Sequence, residues 1–103
     1  MTGPSHQKQN TGRAWRAAIL TSAALALHNA PEGLAVGINS LQVDVNRKLV
    51  LVFAISLHNI PEGIAVAAAI YNATGKKGYA GLVALASGLV EPLAAVISVS
   101  HAQ

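Results

Sequence analysis

The 103-residue chain has no cysteine, which excludes disulfides and thiolate metal sites and leaves the redox compartment undetermined. Charge is scarce as well. Asp, Glu, Lys and Arg make up 11% of the residues, about half the density of an ordinary soluble domain, while 52% are hydrophobic. Too few polar side chains remain to build the solvated faces that soluble helices require, so a soluble bundle of Ala-rich helices is the weaker reading. The formal charge of +3 does not point to nucleic acid, because the cations fall at segment ends and not in one binding tract.

What is present is three long apolar segments, residues 17–39, 49–71 and 79–99, each near the ~20 residues a helix needs to cross ~30 Å of hydrocarbon. The expected fold class is an all-α membrane protein of three transmembrane helices with antiparallel neighbours, since the connections over 42–48 and 72–78 are short. Residues 1–16 read as a polar tail or loop remnant, disordered through Gly12, and 100–103 as a terminal tail. Lys8, Arg13, Arg16, Lys76 and Lys77 lie on one side of this path, and Arg47 and Lys48, partly offset by Asp44, on the other. The positive-inside rule then places the N-terminus and the 72–78 loop in the cytoplasm, and Trp15, Tyr71 and Tyr79 fall at the same boundary, as an interfacial aromatic belt would. His6 and His101 read as solvated residues near the ends.

A ten-residue segment recurs thirty positions on with eight residues unchanged: LHNAPEGLAV over 27–36 and LHNIPEGIAV over 57–66. Each copy places His, Asn and Glu inside an apolar run, where a charge at the bilayer centre costs roughly 3 kcal/mol or more, so the duplication calls for a reason beyond packing. Because the two helices run in opposite directions, the copies are inverted, the symmetry by which secondary transporters build substrate sites at the midplane. With helix centres near residues 28, 60 and 89, His28, His58, Glu62 and Glu91 fall within roughly 3 Å of the midplane, and Glu32 about 6 Å outward.

In each copy His and Glu are spaced i to i+4, one above the other on a helix face, and Asn and Glu at i to i+3 share the adjoining stripe. His28, Asn29, Glu32, His58, Asn59 and Glu62 together offer nitrogen and oxygen donors for one divalent ion, or for two that share bridging carboxylates. Zinc suits such donors, as do iron, manganese and cadmium. Pro31, Pro61 and Pro92 each free a carbonyl one turn back, at Leu27, Leu57 and Gly88, beside these acids. Gly33 with Gly37, Gly63 with Ala67 and Ala84 with Gly88 have the small-xxx-small spacing of close helix packing, and the surfaces around Gly33, Gly37 and Gly63 are expected to face outward, awaiting a partner.

The two H-N-x-P-E-G motifs, followed by S-G-L-V-E-P over 87–92, resemble the fourth, fifth and sixth transmembrane helices of the ZIP family of divalent metal transporters, and the resemblance covers residues 17–99. H-N-I-P-E-G in the second copy is most similar to the broad-specificity members. The resemblance implies a binuclear site in which His28, Glu32, His58 and Glu62 hold one metal, Asn29, Asn59 and Glu91 hold the second, and Glu32 and Glu62 bridge. It also implies an eight-helix bundle, of which this chain would supply three helices as a core fragment, the others or a homo-oligomer partner being needed for transport.

The expected function is therefore transmembrane transport of divalent metal, zinc first, toward the cytoplasm, with the metal as cargo and no catalytic cofactor. The expected partners are the ion, the lipid bilayer and further helices, with no nucleic acid, in an integral membrane protein of the plasma or an organelle membrane. A metal-binding subunit or inactive fragment is the runner-up. An intramembrane di-metal hydrolase fits less well, because H-x-x-x-E is not the H-E-x-x-H of metalloproteases and no separate base or nucleophile is evident.

Overall fold

A computed structural model describes residues 3–42 and 44–102, which form three helices: α1 (Pro4–Ser40), α2 (Val45–Thr74) and α3 (Lys77–Ala102). Among the described residues there is no strand. Asp44 caps α2, its carboxylate accepting the Arg47 N–H at 2.9 Å. Gly75 ends the same helix in the left-handed region (φ 69°), where its N–H reaches back to the Tyr71 carbonyl and a side chain would be strained. The expected 72–78 connection thus contracts to Gly75 and Lys76, and α3 starts at once.

The largest departure from expectation is at the beginning of the chain. The segment read as a disordered tail is helical from Pro4 onward, so α1 is one helix of 37 residues; Met1 and Thr2 lie outside the described residues. Pro4 occupies the first turn, where its missing N–H has no intrahelical partner to lose, and the Thr11 hydroxyl donates to the Gln7 carbonyl at 2.9 Å. Nucleation is supplied by the packed part of α1, so each residue added before Ala17 costs only propagation. The molecule is consequently 61 Å long, more than the ~40–45 Å of a bilayer with its headgroups, and the first turns of α1 project beyond the bundle.

Among the described residues α2 and α3 are each long and apolar enough to cross a membrane by length and composition. α1 is diluted by His28, Asn29, Pro31 and Glu32, the residues that carry the chemistry. All three helices run unbroken through their internal prolines, Pro31, Pro61 and Pro92.

The core is small. Ala18, Val66, Ile70 and Ala80 cluster where the cytoplasmic ends were expected, with Leu25, Ala67, Val83 and Ala84 against them. Toward the other end α1 and α3 approach at backbone range. A Cβ on Gly33 would meet the Glu91 carbonyl oxygen and the Ala94 methyl, and one on Gly37 would meet Ser98 Oγ and the Ala95 carbonyl. The expectation that Gly33 and Gly37 face outward is therefore corrected: both are buried against α3. A Cβ on Gly63 or Gly88 would meet nothing within 4 Å, so of the glycines in the three small-residue pairs only Gly33 and Gly37 make a close backbone approach.

Candidate metal centre

The i to i+4 spacing in each repeat puts His and Glu on one face, and the packing of α1 on α2 brings the two faces together. His28 Nε2 lies 3.6 Å from Glu32 and 3.5 Å from Glu62, and His58 Nε2 lies 3.7 Å from Glu32 and 3.5 Å from Glu62. One ligand atom from each of the four residues lies within 4.8 Å of the others. Metal–ligand bonds of 2.0–2.1 Å at a tetrahedral angle separate neighbouring ligands by about 3.3 Å, so these nitrogen–oxygen spacings are within a few tenths of an ångström of a zinc polyhedron. Glu62 presents Oε1 to both imidazoles, while Glu32 turns a different oxygen to each.

Electrostatics and burial point the same way. Two carboxylates face one another here without a Lys or Arg in their ion pairs among the described residues, an arrangement that a divalent cation between them would stabilise. Glu32 Oε2 and Glu62 Oε2 are shielded from solvent and have no hydrogen-bond partner among the described residues. The histidine side chains are 56% and 54% exposed against 16% for Glu62, so the quartet opens on the outer face of the α1–α2 pair.

The remaining donors form an inner layer against α3. Asn29, 2% exposed, donates its Nδ2 to the Ser87 carbonyl at 3.2 Å, and Asn59 donates its Nδ2 to Glu91, itself 3% exposed. A carbonyl and a carboxylate can only accept, so both amides are fixed with nitrogen toward α3, and their Oδ1 atoms are left buried and unpartnered. Asn29, Asn59 and Glu62 line one cleft of about 470 Å³ that also touches Ser87 and Gly88. Every candidate ligand singled out in the sequence thus falls in one of two adjoining layers: His28, Glu32, His58 and Glu62 in a compact quartet, and Asn29, Asn59 and Glu91 behind it. His6 and His101 are exposed and stand outside both.

Two things escaped the sequence reading. Ser87 anchors Asn29 through its backbone, which no side-chain pattern announces. Ala94 and Ser98, which receive Gly33 and Gly37, did offer a signal in their own small-xxx-small spacing on α3.

A helical membrane bundle with two histidines and two carboxylates gathered at mid-helix defines the class: an integral membrane protein with a cluster of side chains that could hold a metal ion. Residues 2–102 match the family described as ZIP Zinc transporter. The chain is 47% identical over 91 residues to the zinc transporter ZupT of Streptococcus mutans, covering 88% of this chain and 34% of that protein. It is likewise 47% identical over 94 residues to the ZupT of Stenotrophomonas maltophilia strain K279a, covering 84% and 35%, and 45% identical over 82 residues to that of Clostridium perfringens, covering 80% and 28%. The chain belongs to the ZIP zinc transporter family, and it spans about a third of the length of these relatives. No solved structure matches it.

Proposed function

We propose that this chain forms the metal-conducting core of a divalent cation transporter, with zinc as the principal cargo and movement toward the cytoplasm. The observation that carries the reading is the quartet, whose four imidazole-to-carboxylate spacings of 3.5–3.7 Å suit a zinc-sized ion across two inverted helices. In this reading His28, Glu32, His58 and Glu62 take the first ion. The Oδ1 atoms of Asn29 and Asn59 with Glu91 take a second, and Glu32 and Glu62 bridge. The lack of thiolate keeps the site exchangeable, which a transporter that must release its cargo needs.

The names of the relatives, zinc transporters all, support zinc over iron, manganese or cadmium. They also support transport over hydrolysis. Zinc binding by the reconstituted chain, compared between the wild type and Glu62→Gln, tests the site on which the proposal rests; affinity unchanged by that substitution would refute it.

A second reading is favoured by the exposure of the histidines. An alternating-access site must be closed from one side at a time, and here the quartet has no cover on its outer face. The chain would then bind metal alone and transport only with further helices from a partner or a second copy. Flux that appears only on co-reconstitution with such a partner, alongside metal binding by the chain alone, distinguishes the two.

A further inference from the structure

We propose that Gly33 is a positioning residue: having no side chain, it lets the Glu91 main chain rest on α1, and that contact holds Asn29, Asn59 and Glu91 in place for a second ion. The proposal rests on the reading of this inner layer as the second ion's site.

α1 and α3 run parallel and meet along one stripe. Asn29 bonds the Ser87 carbonyl, Gly33 faces the Glu91 carbonyl and Gly37 faces the Ala95 carbonyl, with the same offset of 58 residues in each pair. Successive pairs are one helical turn apart, so Gly33 is the next contact after the Asn29 anchor.

Conformation does not explain this glycine. Among the described residues only Gly75 has a positive φ, and a glycine inside a helix costs stability relative to alanine. What requires it is space. A Cβ at position 33 would lie 2.9 Å from the Ala94 Cβ and closer still to the Glu91 carbonyl oxygen, which is main chain and cannot swing aside. Gly63 holds the same place in the second repeat, and a Cβ there would meet nothing within 4 Å. α3 therefore docks on one repeat only, and the inverted pair becomes asymmetric.

The contact bears on both amides of the inner layer. Glu91 sets its main chain against Gly33 of α1 and its carboxylate against Asn59 of α2, so one residue ties the three helices together. A side chain at position 33 forces α3 outward, and hydrogen bonds of about 2.7–3.2 Å do not survive a displacement of ~1 Å. Asn29 would lose the Ser87 carbonyl and Asn59 the Glu91 carboxylate, and with them the orientation that leaves each Oδ1 free for a cation. The quartet is exempt. Its four ligands belong to α1 and α2, and among the described residues no group of α3 takes part in its ion pairs. The two ions thus depend differently on where α3 sits.

The full chain, purified in detergent, is titrated with zinc in a calorimeter, and the second ion is identified as the one whose binding weakens in Glu91→Ala. Two ions are expected for the wild type and for Gly63→Ala. In Gly33→Ala the second ion should bind at least about tenfold less tightly, as when a group behind the ligands is changed, while the first is unaltered. Gly37→Ala meets the Ala95 carbonyl and Ser98 Oγ one turn beyond Glu91, and should lose stability but keep both ions. Glu91→Asp keeps the main-chain contact and withdraws the carboxylate by one methylene. It should also lose the second ion, and it reads the same geometry if Gly33→Ala fails to fold, which circular dichroism reports. A single ion in the wild type would overturn the reading of the inner layer, and the proposal with it. Two ions in the wild type, with both unaffected or both equally weakened in Gly33→Ala, would overturn the role of Gly33 alone. So would loss of the second ion in Gly37→Ala, which would mean that any loosening of α1 from α3 suffices, or its retention in Glu91→Asp.

Discussion

Asn59 donates its amide Nδ2–H to the Glu91 carboxylate across the α2–α3 interface, and the buried acid is held by that bond while Asn59 Oδ1 is turned away from it. One contact therefore sets two donor atoms of the inner layer. A hydrogen bond to a charged group contributes about 1.5–3 kcal/mol, and leaving the acid unpaired costs at least as much. Asn59→Ala and Glu91→Ala should each destabilise the bundle, and the double variant should show coupling of about 1.5–3 kcal/mol in reversible detergent unfolding. Additive losses would show that the pair does not act as a unit.

Glu62 should be the most costly single ligand to lose. Its Oε1 is 3.5 Å from both imidazoles, and it is the less exposed of the two quartet acids. Changes even outside a coordination sphere lower metal affinity about 10–100-fold, so Glu62→Gln is expected to weaken zinc binding by at least about tenfold in calorimetry, more than His28→Ala does. Unaltered affinity and stoichiometry would count against the shared site.

Acidification should release metal. Zinc needs the lone pair of each imidazole and the charge of each carboxylate, so protons compete at all four ligands and binding expels whatever protons they hold. Affinity measured by isothermal titration is expected to fall steadily from pH 7.5 to pH 5.5, with proton release visible as a dependence of the heat on buffer ionisation enthalpy. A flat affinity over that range would argue against imidazole ligation.

Much of this centre was legible in the sequence because its chemistry is local. His28 with Glu32 and His58 with Glu62 obey helical spacing, and thirty residues of separation with a short turn leave only an antiparallel pairing. What stayed hidden depends on rotation of α3 about its axis, which no single-helix pattern encodes: Ser87 as the anchor of Asn29, and the burial of Gly33 and Gly37. The helical start at Pro4 was hidden for a different reason. Gly, Asn and Ser are weak helix formers in isolation, but joined to a packed helix they need only propagate.

The two repeat glycines, equivalent in sequence, should respond oppositely to a methyl group. Gly33→Ala pushes a Cβ into the Glu91 carbonyl and the Ala94 methyl, backbone and core that cannot swing aside, and should cost about 1–3 kcal/mol. Gly63→Ala meets nothing and gains helix propensity, so it should be neutral or stabilising by up to about 1 kcal/mol. Thermal unfolding of both variants checks the pair. Equal destabilisation would mean that α1 and α3 are not in backbone contact.

Orientation gives the final prediction. Five cations without an acid among them lie at the Trp15 end, and Arg47 and Lys48 with Asp44 lie at the other, so the excess of positive charge should hold the Trp15 end in the cytoplasm. The absence of native cysteine makes single-cysteine labelling unambiguous. Lys76→Cys reports the turn between α2 and α3, and Gln42→Cys reports the opposite end without removing the Asp44 cap that accepts the Arg47 N–H. An impermeant maleimide applied to intact cells should label position 42 and spare position 76 until the membrane is opened. The reverse pattern would invert the bundle and overturn the orientation drawn from the distribution of charge.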